Sequence, residues 1–463
     1  MNIITPRPIS GFPELLPDAQ IVFNRCLQIV RETYELFGFA PIETSAVERK
    51  EILTSKGGDE KEIFALTRLF TRPDESSETD LALHFDLTVP LARYVAQNKD
   101  KLVFPFRRYQ IQKIWRGERP QKGRYREFYQ CDIDVIGRGT LNLITDAEIP
   151  SVIYQVFKRM NIGQFVIRIN NRRLLQGYFE HLGVPAEQIG DVLRAVDRLE
   201  KEGRDKVRGE LINKIGTSEA AADDILGFIR SDAADKTLPT AGTETDAVLA
   251  KIKASPAMSN ERFAQGAAEL STVIAGIRSL GVPDAYFRAD LSIARGLGYY
   301  TGTVYETQLV KYPELGSICS GGRYDDLASY FTSDKLPGVG ISIGLSRLVI
   351  QLIEAGVLKT GASTPAPVIV TTMDNTRMND YLSLAAALRE AGIATEVYFD
   401  KGRLGDQLKY ANRKGFKIAV IAGESEFAAG QVKIKNLISG NETICNRAQL
   451  AAQVGMIVMS HES

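Results

Sequence analysis

Residues 104–138 read FPFRRYQIQKIWRGERPQKGRYREFYQCDIDVIGR. Segments 106–116 and 126–136 are rich in aromatic and branched residues. They flank a loop containing Gly and Pro, the pattern of two strands joined by a long connection. Period-two alternation places Gln130, Asp132 and Asp134 on one face of the second strand, and Cys131, Ile133 and Val135 on the other. In the first, Arg116 and Glu118 share a face. The window holds nine Lys or Arg against four acids, in a chain whose 57 Lys+Arg balance 57 Asp+Glu. A local basic excess in a neutral protein suggests a site for an anion, such as a nucleotide or nucleic acid. The same pattern also fits a surface hairpin that is simply polar on one side.

The whole-chain totals narrow the chemistry. A chain of 463 residues can hold two or three domains with ample core. Its 44% apolar and 25% charged content is that of an ordinary soluble globular protein. No apolar run is long enough to cross a membrane. The N-terminal MNIITPRPISGFPELLP lacks the apolar centre of a secretory signal, so a cytoplasmic location is expected. Cys26, Cys131, Cys319 and Cys445 are far apart and read as buried reduced thiols. Histidine is scarce, at His84, His181 and His461, which excludes a His-rich metal site. It also leaves a Ser-His-Asp or Cys-His mechanism without support. Chemistry is therefore expected from Arg, carboxylates, Tyr and a loosely held Mg²⁺.

Outside the hairpin, the chain divides by character. Asp18, just after Pro17, is placed to cap a helix reaching about Phe37, with Val22, Cys26, Val30 and Tyr34 at helical spacing. PIETSAVE (41–48) and LALHFDL (81–87) read as strands, and a helix containing LARYVAQ follows. A helix near 145–160 precedes the strand QFVIRI. Residues 170–285 are charged and helix-rich and read as a mostly helical insertion. Strand character returns at YFRADLSIARGLGYYTGTVYETQLV. SGGRYDDL and PGVGISIGLSRLV each look like a turn or strand feeding a helix. LKTGASTPAP (358–367) has linker composition, and beyond it strands and helices alternate as in a compact α/β domain.

In this order the segments resemble the class II histidyl-tRNA synthetases over nearly the whole chain. FGFAPIETSAVE is similar to the first class II motif, a helix plus strand with a proline used at the dimer interface. The 104–138 hairpin resembles the second motif. GVGISIGLSRL resembles the third, a strand ending in a helix whose Arg faces the nucleotide. ARGLGYYTGTVYE and SGGRYD resemble the family's two histidine-site motifs. The resemblance implies an α/β protein: an α+β catalytic core on a mostly antiparallel sheet, in residues 1–169 and 286–357, interrupted by the helical insertion at 170–285. An α/β anticodon-binding domain at 366–463 completes it. The implied reaction activates L-histidine with ATP to histidyl-adenylate and passes it to the 3′ end of tRNA(His), with Mg²⁺ carried on the ATP phosphates. A cytoplasmic homodimer without membrane contact is implied as well.

Site residues carry over from the same motifs. Arg116 is implied to bind the α-phosphate and the substrate carboxylate, Arg347 the γ-phosphate, and Arg295 to supply positive charge at the reacting centre. Phe128 is implied to stack on adenine; Glu118 to read the adenine amino group or help hold Mg²⁺. Asp86, Thr88 and Gln130 are implied to hold the α-ammonium. Asp134 is implied to accept an imidazole N–H, and Tyr299, Tyr300 and Tyr324 to supply hydroxyls and flat walls. Adjacent strand residues face opposite ways, so one of Tyr299 and Tyr300 could turn away from substrate. A site that hydrogen-bonds both ring nitrogens rejects apolar near-isosteres, so the 170–285 insertion reads as a tRNA acceptor-stem clamp and not an editing domain. In the last domain, Lys401, Arg403, Lys409, Arg413, Lys414, Lys417, Lys433 and Lys435 suit an RNA-facing surface. The chain departs from the family pattern at Ser10, His84, Gly298 and Ser346. These put the electrostatics near Asp86 and Arg295 in question, and Gly298 and His84 alone would suit a synthetase-like regulatory or tRNA-binding protein without ligase activity.

Overall fold

The computed structural model describes residues 3–55, 62–69, 80–121, 123–229, 243–294, 300–325, 328–400 and 402–460. They fall into two units, residues 1–13 with 26–357, and residues 14–25 with 358–463. The first unit's strands are β1 (Ala40–Pro41), β2 (Val47–Arg49), β3 (Leu81–Leu83), β4 (Phe106–Trp115), β5 (Glu127–Ile136), β6 (Phe165–Asn171), β7 (Phe287–Ala289), β8 (Tyr300–Leu309), β9 (Ser317–Tyr324) and β10 (Gly338–Gly344). Eight of them form one sheet in the order β1-β4-β5-β10-β9-β8-β6-β7. Only the outer pairs β1·β4 and β6·β7 are parallel. The other pairings are antiparallel, as expected.

The 104–138 hairpin is not a surface feature. Strand β5 is bonded to β4 on one side and β10 on the other. Its Cys131, Ile133 and Val135 are buried, and the Tyr34 hydroxyl donates to the Cys131 carbonyl at 3.1 Å. Its other face, Gln130, Asp132 and Asp134, is buried too. A sheet covered on both faces cannot leave carboxylates there without partners or a solvent-filled hollow above them.

Several boundaries differ from the sequence expectation. PIETSAVE is not one strand: Pro41 pairs with β4, whereas Val47–Arg49 pairs with β3 in a separate two-stranded sheet. LALHFDL pairs only as far as Leu83. Asp18 lies inside the first turn of the helix Pro17–Leu36 and so is not its N-cap; an acid there still complements the helix dipole. SGGRY forms the end of β9, and no helix follows it directly among the described residues. The helical stretch after β6 is not a separate body. Its first and last long helices, Arg172–His181 and Glu261–Ser279, pack on each other and on the core sheet. Gly177 and Gly266 permit that contact: a Cβ on Gly266 would lie 2.3 Å from the Leu174 amide nitrogen.

The second unit holds β11 (Val368–Val370), β12 (Thr395–Val397), β13 (Ile418–Ile421), β14 (Gln431–Asn436) and β15 (Glu442–Asn446), ordered β12-β11-β13-β14-β15. The first three are parallel, and β11 and β13 are buried on both faces, which explains their continuous apolar runs. Strands β14 and β15 add an antiparallel hairpin that the alternation of strand and helix did not suggest. No helix among the described residues is long and apolar enough to cross a membrane.

The close helix crossing makes a stability prediction. Gly266→Ala should destabilise the first unit by about 1–3 kcal/mol, because the obstruction is backbone that cannot rotate away. Gly227→Ala lies in the helix Glu219–Ile229 with nothing within 4 Å of its added Cβ. It should stabilise by roughly 0.5–1 kcal/mol. Denaturant midpoints that move the same way for both variants would contradict the packing argument.

Candidate active site

Strand register builds the floor of the site. Opposite Asp134 stand Arg108 on β4 and Gly340 on β10; opposite Asp132 stand Gln110 and Ser342; opposite Gln130 stand Gln112 and Gly344. The β10 side of each row is Gly or Ser, so this face is long and polar on β4 and β5 and hollow on β10. The middle row continues across the sheet from Ser342 to Ser320, Glu306 and Arg168.

Two cavities open over this floor. The first, about 410 Å³, is lined by Arg116, Glu118, Arg124, Tyr125, Phe128 and Arg347 among others. Glu118 is the only acid among the described residues that line it. The second, about 490 Å³, is lined by Asp86, Thr88, Asp197, Tyr300, Tyr305 and Glu306 among others, with Arg116 the only basic residue among the described residues that line it. The two share Arg116, Gln130, Ser320 and Ser342. A basic cleft therefore meets an acid-lined chamber, and Arg116 is the one basic residue they share among the described residues.

Arg116 is held at that junction from two sides. Its amide donates to the Arg126 carbonyl at 2.8 Å, and its Nε to the Phe85 carbonyl at 3.1 Å. Its guanidinium lies 5.4 Å from the Phe128 ring centroid. Glu118 accepts from Arg124 at 3.1 Å, and its carbonyl accepts from Arg126 Nε at 3.0 Å. Arg347, from the first turn of the helix Leu345–Glu354, donates to the Leu315 carbonyl. Asp86 accepts the Val89 amide at 3.1 Å. Burial pushes its pKa up to about 6, against the pull of that amide and of Arg116.

Sequence reasoning put Asp134 and Tyr324 on the substrate wall; in the structure they are buried against each other. Neither lines either cavity. One oxygen of Asp134 accepts the Tyr324 hydroxyl at 2.8 Å, and the other pairs with Arg108 at 2.5 Å. Burial raises Asp134 to about 7 while Arg108 lowers it. A Cβ at residue 340 would fall 2.2 Å from Oδ1, so Gly340 gives this carboxylate its room. Tyr300 does reach the acidic chamber. Arg295 and Tyr299, together with Gly298, lie outside the described residues, as do Lys122 and Lys401.

Two of the departures acquire physical reasons. Ser346 accepts the Tyr129 amide at 2.8 Å, tying the helix Leu345–Glu354 to β5. His84 is fully buried, its Nε2 is 2.7 Å from the Lys113 carbonyl, and burial lowers its pKa, so it sits as a neutral donor. Beside Ser10, the Gly11 carbonyl accepts both the Arg126 and Glu127 amides, closing the base of the hairpin. Two residues that local patterns did not reveal also belong to the site. Glu306 looks like one more strand residue, and Asp197 lies in the helical stretch at the end of Ile189–Asp197. The Arg in SGGRYD is structural: Arg323 makes buried contacts with Asp146 at 2.7–3.0 Å.

The model of the histidyl-tRNA synthetase family matches residues 11–348. A histidine–tRNA ligase of Clostridium tetani is 46% identical over 95% of this chain and 96% of its own length. The chain belongs to the histidyl-tRNA synthetase family. A crystal structure of the histidyl-tRNA synthetase of Nostoc sp. PCC 7120 superposes with a TM-score of 0.88, at 43% identity, covering 98% of this chain and 99% of that one. An apo histidyl-tRNA synthetase of S. aureus, 18% identical with a TM-score of 0.65, shares the fold.

Residues 367–455 match an anticodon-binding domain model. In this synthetase-family chain, much of the basic character noted there is internally balanced. Lys414 pairs with Glu396, and Lys433 and Lys435 both pair with Glu442. Arg403 and Arg413 remain exposed.

Asp86 gives a pH prediction. Its carboxyl rises from 3.8 to about 6 on folding. A raised folded pKa contributes stability that is complete below the unfolded value and lost as pH rises through the folded one. About 1 kcal/mol of it should disappear between pH 5 and pH 8. Asp86→Asn removes that titration, so its stability relative to the parent should improve by this amount over the same range. A difference independent of pH would contradict the burial of an ionisable Asp86.

Proposed function

We propose that this chain activates L-histidine with ATP and transfers the histidyl group to the 3′ end of tRNA(His). The observation that carries this reading is Arg116, shared by a basic cleft and an acid-lined chamber. ATP suits the cleft, with Phe128 beside adenine and Arg347 toward the terminal phosphates. Histidine suits the chamber, with its ammonium near Asp86, Thr88 and Gln130. Its carboxylate and the α-phosphate, two anions that repel each other in water, would then both face Arg116.

In the first step a carboxylate oxygen attacks the α-phosphorus and pyrophosphate leaves. In the second, a hydroxyl of the terminal ribose of tRNA attacks the acyl carbonyl and AMP leaves. Neither step needs a covalent enzyme intermediate. Arg116, with Arg295 by resemblance, would stabilise charge that grows at phosphorus in the transition state. Buried Asp134 would shape the chamber through Tyr324 and Arg108 instead of touching the ring in the geometry described.

Mg²⁺ fits this arrangement modestly. Among the described residues, Glu118 is the only carboxylate on the wall of the basic cleft. That matches an ion bound through one or two carboxylates plus substrate phosphates, which when present neutralises phosphate charge. A homodimer built on the 37–48 segment, a cytoplasmic location, an acceptor-stem role for 170–285 and anticodon reading by 366–463 complete the proposal.

Histidine-dependent ATP–pyrophosphate exchange tests the reading. Exchange with histidine and none with other amino acids is expected, followed by charging of tRNA(His); a folded protein without exchange would leave only a binding or regulatory role. Arg116→Ala should lower exchange by about two to three orders of magnitude, roughly 3–4 kcal/mol. Arg295→Ala should do the same. Near-normal exchange in Arg116→Ala would remove the junction from the mechanism.

A further inference from the structure

A glutamine amide has two ends of nearly the same shape and opposite chemistry. Its oxygen accepts hydrogen bonds and its NH2 group donates them. Gln130 borders both the basic cleft and the acidic chamber. Its orientation therefore decides whether the junction of the two offers an acceptor or a donor.

The neighbours of Gln130 fix that orientation. Two residues along β5, on the same face, Asp132 Oδ2 accepts from Gln130 Nε2 at 3.0 Å. Across the β4 pairing stands Gln112, whose amide is already committed. Its Oε1 accepts from Gln110 Nε2 at 2.7 Å, and its Nε2 donates to the Thr44 carbonyl at 3.0 Å. Across the β10 pairing stands Gly344, which has no side chain. An ionised carboxylate can only accept, so Asp132 takes the NH2 end of Gln130 and leaves Oε1 for the cavities.

Asp132 is itself held in place. It is 2% exposed and lines neither cavity, so its effect on a ligand passes through Gln130. Gln110 and Ser342 oppose it on the two adjacent strands. Gln110 in turn donates to the Thr44 hydroxyl at 2.9 Å. Burial raises the Asp132 pKa, against the pull of Arg108 and of hydrogen bonds from Ser342 and Gln130. Arg108 is fully buried and permanently charged, which favours negative charge on this polar row.

We propose that Asp132 is a positioning residue that locks the Gln130 amide with its oxygen toward the acidic chamber, where that oxygen accepts from the α-ammonium of the substrate. The inference rests on the assignment of that chamber to histidine. With the amide reversed, its NH2 group would meet the ammonium, and two donors would face each other without an acceptor.

The test is steady-state pyrophosphate exchange by the full-length chain. Asp132→Asn keeps the size but offers Gln130 either a donor or an acceptor, so the amide is no longer held one way. Losing one hydrogen bond to a charged group corresponds to about tenfold in binding. The expected result is a histidine KM raised about tenfold with the ATP KM within about twofold, the latter showing that the fold and cleft are intact. Competitive inhibition by histidinol, which keeps the ammonium, should weaken by the same factor. Inhibition by imidazolepropionate, which is histidine without its amino group, should not change. The double substitution Gln130→Glu with Asp132→Asn restores a fixed polarity: residue 130 then accepts from the residue 132 amide and shows only oxygen to the chamber. It should return the histidine KM to within about threefold of the parent. A histidine KM unchanged in Asp132→Asn, equal losses for histidine and ATP, equal weakening of both inhibitors, or a double variant no better than the single one would overturn the assignment of Asp132. If Asp132→Asn does not fold, the double variant decides alone: a histidine KM near the parent's supports the assignment, and one raised about tenfold overturns it. Absence of histidine-dependent exchange in the parent protein would instead overturn the chamber assignment itself.

Discussion

The site depends on the register of β5. Ten consecutive cross-strand pairs with β4, from Phe106–Ile136 to Trp115–Glu127, decide which side chains face the cavities. A slip of one residue would turn Gln130, Asp132 and Asp134 into the helix-covered core and bring Cys131, Ile133 and Val135 over the floor. Pairing with β10 on the other edge reinforces the register, since only Gly340, Ser342 and Gly344 leave space above the polar row. The Gly11 carbonyl and the Ser346 hydroxyl bind amides at the open end of the same strand.

On this frame the charges are sorted by position along and across the sheet. Positive side chains gather where the hairpin opens, at Arg116, Arg124 and Arg347. Carboxylates gather over the middle of the sheet, and each is given an identifiable partner or a share of the cavity. Arg108 serves Asp134; Arg168 serves Asp290, Glu200 and Glu306. Such pairs are weak arguments for stability, because desolvation offsets most of the attraction. Their effect is geometric: they hold charged walls in place before a ligand arrives, so little reorganisation is needed when it does.

Local sequence carried the hairpin, the face of β5, the helix after β10 and the C-terminal βα alternation, because each follows from periodicity within about ten residues. It did not carry the partner of Asp134. The sequence offers several nearby arginines, and only the β4–β5 register selects Arg108. For the same reason Tyr324 reads as a wall residue until β9 and β10 place its hydroxyl against Asp134. Asp197 was invisible because it comes from a different region whose helical pattern says nothing about where its end points. The packing of the first and last helices of 170–285 on the core sheet was not legible on similar grounds, since amphipathic helices look alike whether they cover a core sheet or a separate domain. The β14–β15 hairpin was missed because short strands beside polar turns carry little periodic signal.

The central claim is that two substrates of opposite demand meet at Arg116. A crystal structure of the full chain with a non-hydrolysable histidyl-adenylate analogue tests it most directly. The account predicts adenine beside Phe128, the phosphate mimic at Arg116, and the amino-acid portion in the chamber lined by Asp86 and Asp197. An analogue bound elsewhere, or one whose phosphate mimic does not contact Arg116, would contradict it.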